Sequence, residues 1–104
     1  IGKEAFCNCR NIESLVIPHS VKRIDDNAFD GCEKLIKVTV LYGTEKIGDE
    51  AFSGCKNLMS IDLPESIKQI GRGAFEGCSA LTVVSLPSCS EIAEILRAWI
   101  FRTE

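Results

Sequence analysis

The chain has 104 residues, of which 45% are apolar and 26% charged, and its net charge is -3. This length is typical of a single domain. The longest apolar runs, such as residues 98–101, have only four residues, whereas a membrane span needs about 20. The chain also lacks the basic runs that bind nucleic acid or anionic membranes. The sequence therefore predicts no membrane insertion and no nucleic-acid partner.

One segment recurs at a fixed interval: IGKEAF begins at residue 1, IDDNAF at 24, IGDEAF at 47 and IGRGAF at 70. In this unit Ile at position 1, Ala at 5, Phe at 6 and Cys at 9 are identical in all four copies. Such periodicity is typical of repeat proteins. It divides the chain into four units, residues 1–23, 24–46, 47–69 and 70–92, followed by residues 93–104.

Each unit contains one segment that predicts a short β-strand. Its last two apolar residues are two positions apart, as Val38 and Val40 are, which is the spacing that sends side chains to one face of a strand. Pro18, Pro64 and Pro87 follow three of these segments and mark where the hydrogen-bond ladder must end, because proline has no amide hydrogen.

The remainder of the unit, as in residues 48–55, predicts a short helical turn. Asp49 is expected to cap this turn, and Gly54 to end it in a left-handed conformation. A unit this short cannot enclose a core by itself, so each coil must bury its open faces against the next. We therefore expect an α/β solenoid, with short parallel strands on one face and short helical turns on the other.

Residues of one column should stack on each other in such a solenoid. An aromatic spine is expected from Phe6, Phe29, Phe52 and Phe75. A line of inward, reduced thiols is expected from Cys9, Cys32, Cys55 and Cys78, because parallel neighbours keep their β carbons about 5 Å apart instead of the ~3.8 Å of a disulfide. Such a line also does not converge on a zinc ion. Cys7 and Cys89 lie outside this column and are expected to be exposed, as free thiols or in an intermolecular disulfide.

The motif Leu-x-x-Ile-x-Leu-Pro, followed by Ile-Gly-x-x-Ala-Phe-x-Gly-Cys, resembles the leucine-rich repeat of the Treponema type found in BspA-like surface proteins. The resemblance covers residues 1–92 and implies a right-handed coil. It also implies a cell-surface or secreted protein of a bacterium or protist that adheres to host or matrix proteins such as fibronectin and fibrinogen. It brings no catalytic residues and no cofactor.

The pattern changes after Ser90. Ile92, Ile95, Leu96 and Trp99 fall on one helical stripe, and Ser88 and Glu91 have the spacing of a capping box. We expect a C-terminal helix within residues 93–104 that caps the last coil, with a docking helix as the alternative. The chain opens on the first column without Met or a signal sequence, so we interpret it as a fragment of a longer protein.

No group of residues predicts catalysis or a metal site. His19 is the single histidine and is expected in a surface loop. The acidic cluster of Asp25, Asp26, Asn27 and Asp30 lacks the spacing and glycine of a calcium-binding EF-hand loop. We therefore interpret it as turn residues of the outer wall.

The outward face of the strands is the candidate binding site, at positions 13, 14 and 16 of each unit. Apolar side chains rimmed by charge are typical of a protein-binding patch, and Met suits adaptable surfaces. The predicted protein-binding residues are Glu13, Val16, Ile36, Lys37, Thr39, Met59, Ser60, Asp62 and Val83. Two alternatives stay open: a structural spacer or stalk, and an intracellular scaffold, which unbridged thiols would favour.

Overall fold

A computed structural model describes residues 1–85 of the chain. Its strands are β1 (Ser14–Ile17), β2 (Arg23–Ile24), β3 (Lys37–Val40), β4 (Lys46–Ile47), β5 (Ser60–Asp62), β6 (Gln69–Ile70) and β7 (Val83–Ser85). They form two parallel sheets, one of order β1-β3-β5-β7 and one of order β2-β4-β6. The described residues thus build a parallel β-solenoid.

The predicted repeat interval is the register of both sheets. In the first sheet Leu15 lies beside Val38, and Val38 beside Ile61. In the second sheet Ile24 lies beside Ile47. We call residues 1–23, 24–46 and 47–69 coils 1 to 3, and coil 4 begins at residue 70. The two-residue strands of the second sheet were not predicted, because they are too short to show an alternating pattern.

The outer wall differs from its prediction. Residues 1–85 contain no α-helix, and the first half of each coil forms a series of tight turns. In coil 2 the amides of Ala28, Asp30 and Cys32 donate to the carbonyls three residues earlier, at 3.2 to 3.3 Å. The amides between them, those of Asn27, Phe29 and Gly31, donate instead to coil 3, at 2.8 to 3.0 Å. The α/β class with helical turns is therefore wrong for these residues.

Backbone conformation explains why the wall is not helical. The fourth residue of every coil has a positive φ, as in Asn27 (59°) and Glu50 (56°), and so has the eighth, as in Gly54 (75°). A left-handed residue interrupts a right-handed helix, and here it turns alternate amides along the axis of the solenoid. Gly54 therefore has the predicted left-handed conformation, but it closes a turn and not a helix.

Asp49 was expected to cap its own turn and does not. Its Oδ1 accepts a hydrogen bond from the amide of Arg72 in the next coil (2.9 Å), while its own amide donates to Oδ1 of Asp26 in the coil before (2.8 Å). These aspartates therefore link coils. The predicted C-terminal cap, residues 93–104, lies outside the described residues.

The aromatic spine is confirmed. Consecutive rings from Phe6 to Phe75 lie nearly parallel, with centroids 5.2, 5.2 and 5.6 Å apart and interplanar angles of 2 to 5°. These distances are within the range of favourable offset stacking. Phe29 and Phe52 are fully buried, whereas Phe6 at the open end is 40% exposed.

Coil 2 lacks the Pro corner, and its loop follows a different path. Gly43 has a φ of 124°, and a Cβ at this position would overlap the carbonyl oxygen of His19. Thr44 takes the place that Val21 and Ile67 hold in their coils. It is fully buried, and its hydroxyl donates to the carbonyl of Val21 (2.6 Å). Glycine at residue 43 lets the loop approach coil 1 closely enough for this bond.

Truncation of the spine should destabilise the protein most in its middle. Phe52→Ala should lower the free energy of unfolding by about 3 to 5 kcal/mol, because its ring is buried between two others. Phe6→Ala should cost about 1 to 2 kcal/mol, because this ring is partly exposed and stacks on one side only. Urea denaturation measures both, and equal losses would contradict the stacking order.

Gly43→Ala should lower the free energy of unfolding by about 1 to 3 kcal/mol, through the left-handed φ and the overlap with the backbone. Gly2→Ala is the control, since a Cβ there meets nothing within 4 Å, and it should change the melting temperature little. If the two variants melt together, the close approach of the coil 2 loop to coil 1 is wrong.

Candidate functional site

The outward face of the first sheet carries all nine predicted site residues. Leu15, Val38 and Ile61, one from each of three strands, point inward and contribute to the core. Side chains alternate along a strand, so the residues on either side of each of them must face solvent. Two outward rows lie within the strands, Lys37–Ser60–Val83 and Val16–Thr39–Asp62. A third row, Glu13–Ile36–Met59, lies just before the strands. There each amide donates to the carbonyl of the preceding coil, Ile36 to Glu13 at 2.7 Å and Met59 to Ile36 at 2.8 Å.

Seven of these residues are exposed, while Thr39 and Ser60 in the centre are half-buried. Four exposed residues are large and apolar: Val16 at 59%, Ile36 at 42%, Met59 at 52% and Val83 at 55%. Ile36 and Met59 are neighbours in adjacent coils, and the charged residues Glu13, Lys37 and Asp62 lie on the same face. We call this set of nine residues the strand face. It extends about 14 Å across four strands and about 10 Å along them.

Two further exposed apolar residues adjoin the strand face and were not predicted as part of it. Leu41 follows β3 directly, with its amide donating to the carbonyl of Ile17 (3.0 Å), and Tyr42 is 70% exposed. The sequence indicated these exposed residues by the absence of the Pro that follows the strand segment in the other three units. His19, in the same loop row as Tyr42, is exposed as expected.

The thiol column is buried in its middle. Cys32 and Cys55 are inaccessible to solvent, and no disulfide joins the cysteines within residues 1–85. The thiol of Cys32 donates to the carbonyl of Phe6 (3.2 Å), and that of Cys55 to the carbonyl of Phe29 (3.3 Å). Burial raises the pKa of Cys32 to about 11. The adjacent Cys78 thiol, together with burial, raises the pKa of Cys55. Raised pKa values make these thiols poor nucleophiles.

Cys7, which was expected to be exposed, is a half-buried free thiol. Desolvation and the negative charges of Asp30 and Glu4 raise its pKa. Cys89, the other cysteine outside the column, lies outside the described residues.

The acidic cluster binds its own neighbours. The side-chain amide of Asn27 donates to the carboxylates of Asp30 (2.8 Å) and Glu50 (3.2 Å). Asp25 forms an ion pair with Arg23 (3.4 Å). Among residues 1–85, no three Cys, His, Asp or Glu side chains converge as metal ligands would. In the same range, no helix is long and apolar enough to cross a membrane.

A basic groove was missed from the sequence. Its wall is formed by Lys22, Arg23, Glu45, Lys46, Lys68 and Gln69, and its volume is about 560 Å³. These residues form three pairs, one from the corner of each of three coils. The pairs lie far apart in the sequence. The cluster of basic residues becomes visible in the sequence only when positions 22 and 23 of successive units are compared with each other.

Comparison with known proteins identifies the repeat. The family model described as the BspA type leucine rich repeat region (6 copies) matches residues 1–99. The chain belongs to the BspA-type leucine-rich repeat family. Leucine-rich repeat families are in general non-catalytic and mediate protein–protein interaction. A search of curated proteins found no match.

Three solved structures are similar to this chain. A leucine rich cell surface protein from Faecalibacterium prausnitzii A2-165 is 28% identical, with a TM-score of 0.82, over 100% of this chain and 27% of its own. A leucine-rich repeat protein from Bacteroides ovatus ATCC 8483 is 43% identical (TM-score 0.74) over 84% of this chain and 22% of its own. The leucine rich repeat protein TpLRR from T. pallidum is 31% identical (TM-score 0.57), over 84% of this chain and 51% of its own. The BspA-type chain thus spans about half or less of the length of these relatives.

Stability should fall at alkaline pH through the thiol column. Between pH 9.0 and about 11 the unfolded chain loses the Cys32 proton while the folded chain keeps it, so the free energy of unfolding decreases as pH rises through this window. Cys32→Ser keeps a donor for the Phe6 carbonyl and does not titrate. Urea denaturation under reducing conditions should therefore show a weaker pH dependence for this variant, and identical slopes would contradict the raised pKa.

Proposed function

We propose that this BspA-type chain is a non-catalytic protein-binding module of a bacterial or protist cell-surface adhesin. In this proposal it binds a host or matrix protein through the strand face. The single observation that carries the proposal is the group of four exposed apolar side chains, Val16, Ile36, Met59 and Val83, on one face of a parallel sheet. Exposed apolar groups rimmed by charge are typical of interaction sites.

The backbone beneath this face supports a binding role because β3 and β5 pair with a neighbouring strand on both sides, and β1 and β7 on one. Every outward row has hydrogen-bonded neighbours in the adjacent coils, and the inward residues pack in the core. A protein ligand would therefore meet a surface that loses little backbone entropy on binding, which favours affinity. The side chains differ: Met59 adapts its shape readily, while Val16 and Val83 are stiff at χ1.

The size of the strand face limits the strength of binding. A face of about 14 by 10 Å has an area of about 140 Å², which is less than the roughly 800 Å² that each partner contributes to a standard interface. We therefore expect a Kd on the order of micromolar or weaker for one copy of this chain. Display of several copies on a surface would raise the avidity without new contacts.

The surface location in this proposal is supported by one comparison. The Faecalibacterium relative, described as a cell surface protein, matches the whole of this chain in fold. Fibronectin and fibrinogen are the first ligands to test, because they are host and matrix proteins of the class that the BspA-like resemblance implies.

The test measures binding of the purified chain, coupled in many copies to beads, to immobilised fibronectin and fibrinogen, because linked copies supply the avidity that weak binding requires. Ile36→Glu together with Met59→Glu should weaken binding at least about tenfold, because each change replaces an exposed apolar contact of the face with a charge. The matched control is Asn11→Glu with Ser79→Glu. It adds the same two charges at exposed positions elsewhere and should bind as the parent does.

Circular dichroism and melting temperature must first show that both double variants fold as the parent does. Equal binding by both would exclude the strand face as the binding site. Absence of binding by the parent chain to either ligand would contradict the adhesin proposal and favour a structural spacer.

A further inference from the structure

The basic groove brings together charges that lie far apart in sequence. Lys22, Glu45 and Lys68 form one row across three coils, joined by backbone hydrogen bonds of 2.8 Å (Glu45 amide to Lys22 carbonyl) and 2.7 Å (Lys68 amide to Glu45 carbonyl). Arg23, Lys46 and Gln69 form the adjacent row, in the register of the second sheet. All six side chains are exposed, and the groove between them is about 10 Å long across two coil steps.

The groove is positive although the chain is negative. It has four cationic side chains and one carboxylate, whereas the whole chain has a net charge of -3. Within residues 1–85, Arg23 forms an ion pair with Asp25, and no ion pair includes Lys22, Lys46 or Lys68. A local positive surface of this kind raises the concentration of anions beside it.

One pair of these charges opposes folding, although in the adjacent row Glu45 lies between Lys22 and Lys68. The register places Arg23 directly beside Lys46 on the neighbouring strand, and like charges in such pairs repel. The core needs only the inward neighbours Ile24 and Ile47, which are fully buried. An anion bound over the row would relieve the repulsion, and residues that break a local rule of this kind are expected at functional sites.

The side chains of the groove indicate which kind of anion fits. The lining has no aromatic side chain, so it offers no platform on which nucleic-acid bases could stack. It also has none of the Trp or Tyr anchors that dominate protein interfaces. The Gln69 amide and the Glu45 carboxylate add hydrogen-bond donors and acceptors suited to hydroxyl groups.

We propose that the basic groove binds a linear anionic polysaccharide carrying sulfate or carboxylate groups. The lysines and Arg23 bind the anionic groups, and Gln69 and Glu45 bind the sugar hydroxyls. This second binding surface is distinct from the strand face. It lies on the other sheet and shares no residue with it.

The experiment titrates the purified chain with heparin in low-salt buffer by isothermal titration calorimetry. Lys22→Gln, Lys46→Gln and Lys68→Gln combined should weaken heparin binding about tenfold or more, as expected for the loss of three exposed ionic contacts. The control combines Lys3→Gln, Lys34→Gln and Lys56→Gln, three exposed lysines outside the groove. It has the same net charge and should bind within about twofold of the parent, an energy difference below that of one surface ion pair.

The slope of log K against log salt concentration provides a second readout. It should be smaller for the groove variant than for the control, because fewer cations release counterions. Hyaluronan, whose anionic groups are carboxylates only, shows whether sulfate is needed, and neutral dextran should not bind.

Three outcomes would overturn the proposal. They are no heparin binding by the parent, equal losses in the groove and control variants, and tighter binding of polyglutamate or single-stranded DNA than of heparin and hyaluronan alike. The Ile36→Glu, Met59→Glu variant should keep its heparin binding, since its substitutions lie on the other sheet. This separates failure of the groove from failure of the strand face.

Discussion

Hydrogen bonding from one coil to the next is the constraint on which the rest of this solenoid depends. Along the first sheet adjacent coils donate to each other in both directions, as from Ile36 to Glu13 and from Leu63 to Ser85. In the outer wall the amides of an earlier coil donate to the carbonyls of the later one, as from Phe29 to Ala51. Backbone groups that are buried must be paired, and here the adjacent coil supplies the partner. A coil is therefore complete only with a neighbour on each side.

This constraint explains the repeated residues. Small Ala28 and Ala51 lie where the wall approaches the core, and the Phe rings above them stack at 5.2 Å because the coils hold that spacing. Cys has the same kind of role: its thiol reaches the Phe carbonyl of the preceding coil and fills the remaining space without a charge. Burial raises the pKa of Cys32, and the neighbouring Cys78 thiol together with burial raises that of Cys55, which argues for packing over chemistry at these two thiols.

Residues whose side chains do not pack between the coils face outward, and they differ from coil to coil. On the first sheet they combine exposed apolar side chains with polar and charged ones, and on the second they are mainly basic. One scaffold of this BspA-type family thus presents two surfaces of different chemistry, and each surface combines single residues from several coils. Surfaces in such a repeat are built from columns that run across coils, so the two proposed ligands would not compete for the same residues.

Four features could be predicted from the sequence alone: the repeat interval, the inward positions, the Phe stack and the outward residues of the strand face. The reason is that side chains repeated at a fixed interval must meet when the coils stack. The form of the outer wall did not follow. The segment 48–55 has the capping residues of a helix, and only the tertiary structure shows that alternate amides bond along the axis, because a partner in the adjacent coil leaves no local signal. The basic groove depended on the structure for the same reason: its charges are scattered along the chain, and only the stacking of the coils brings them together.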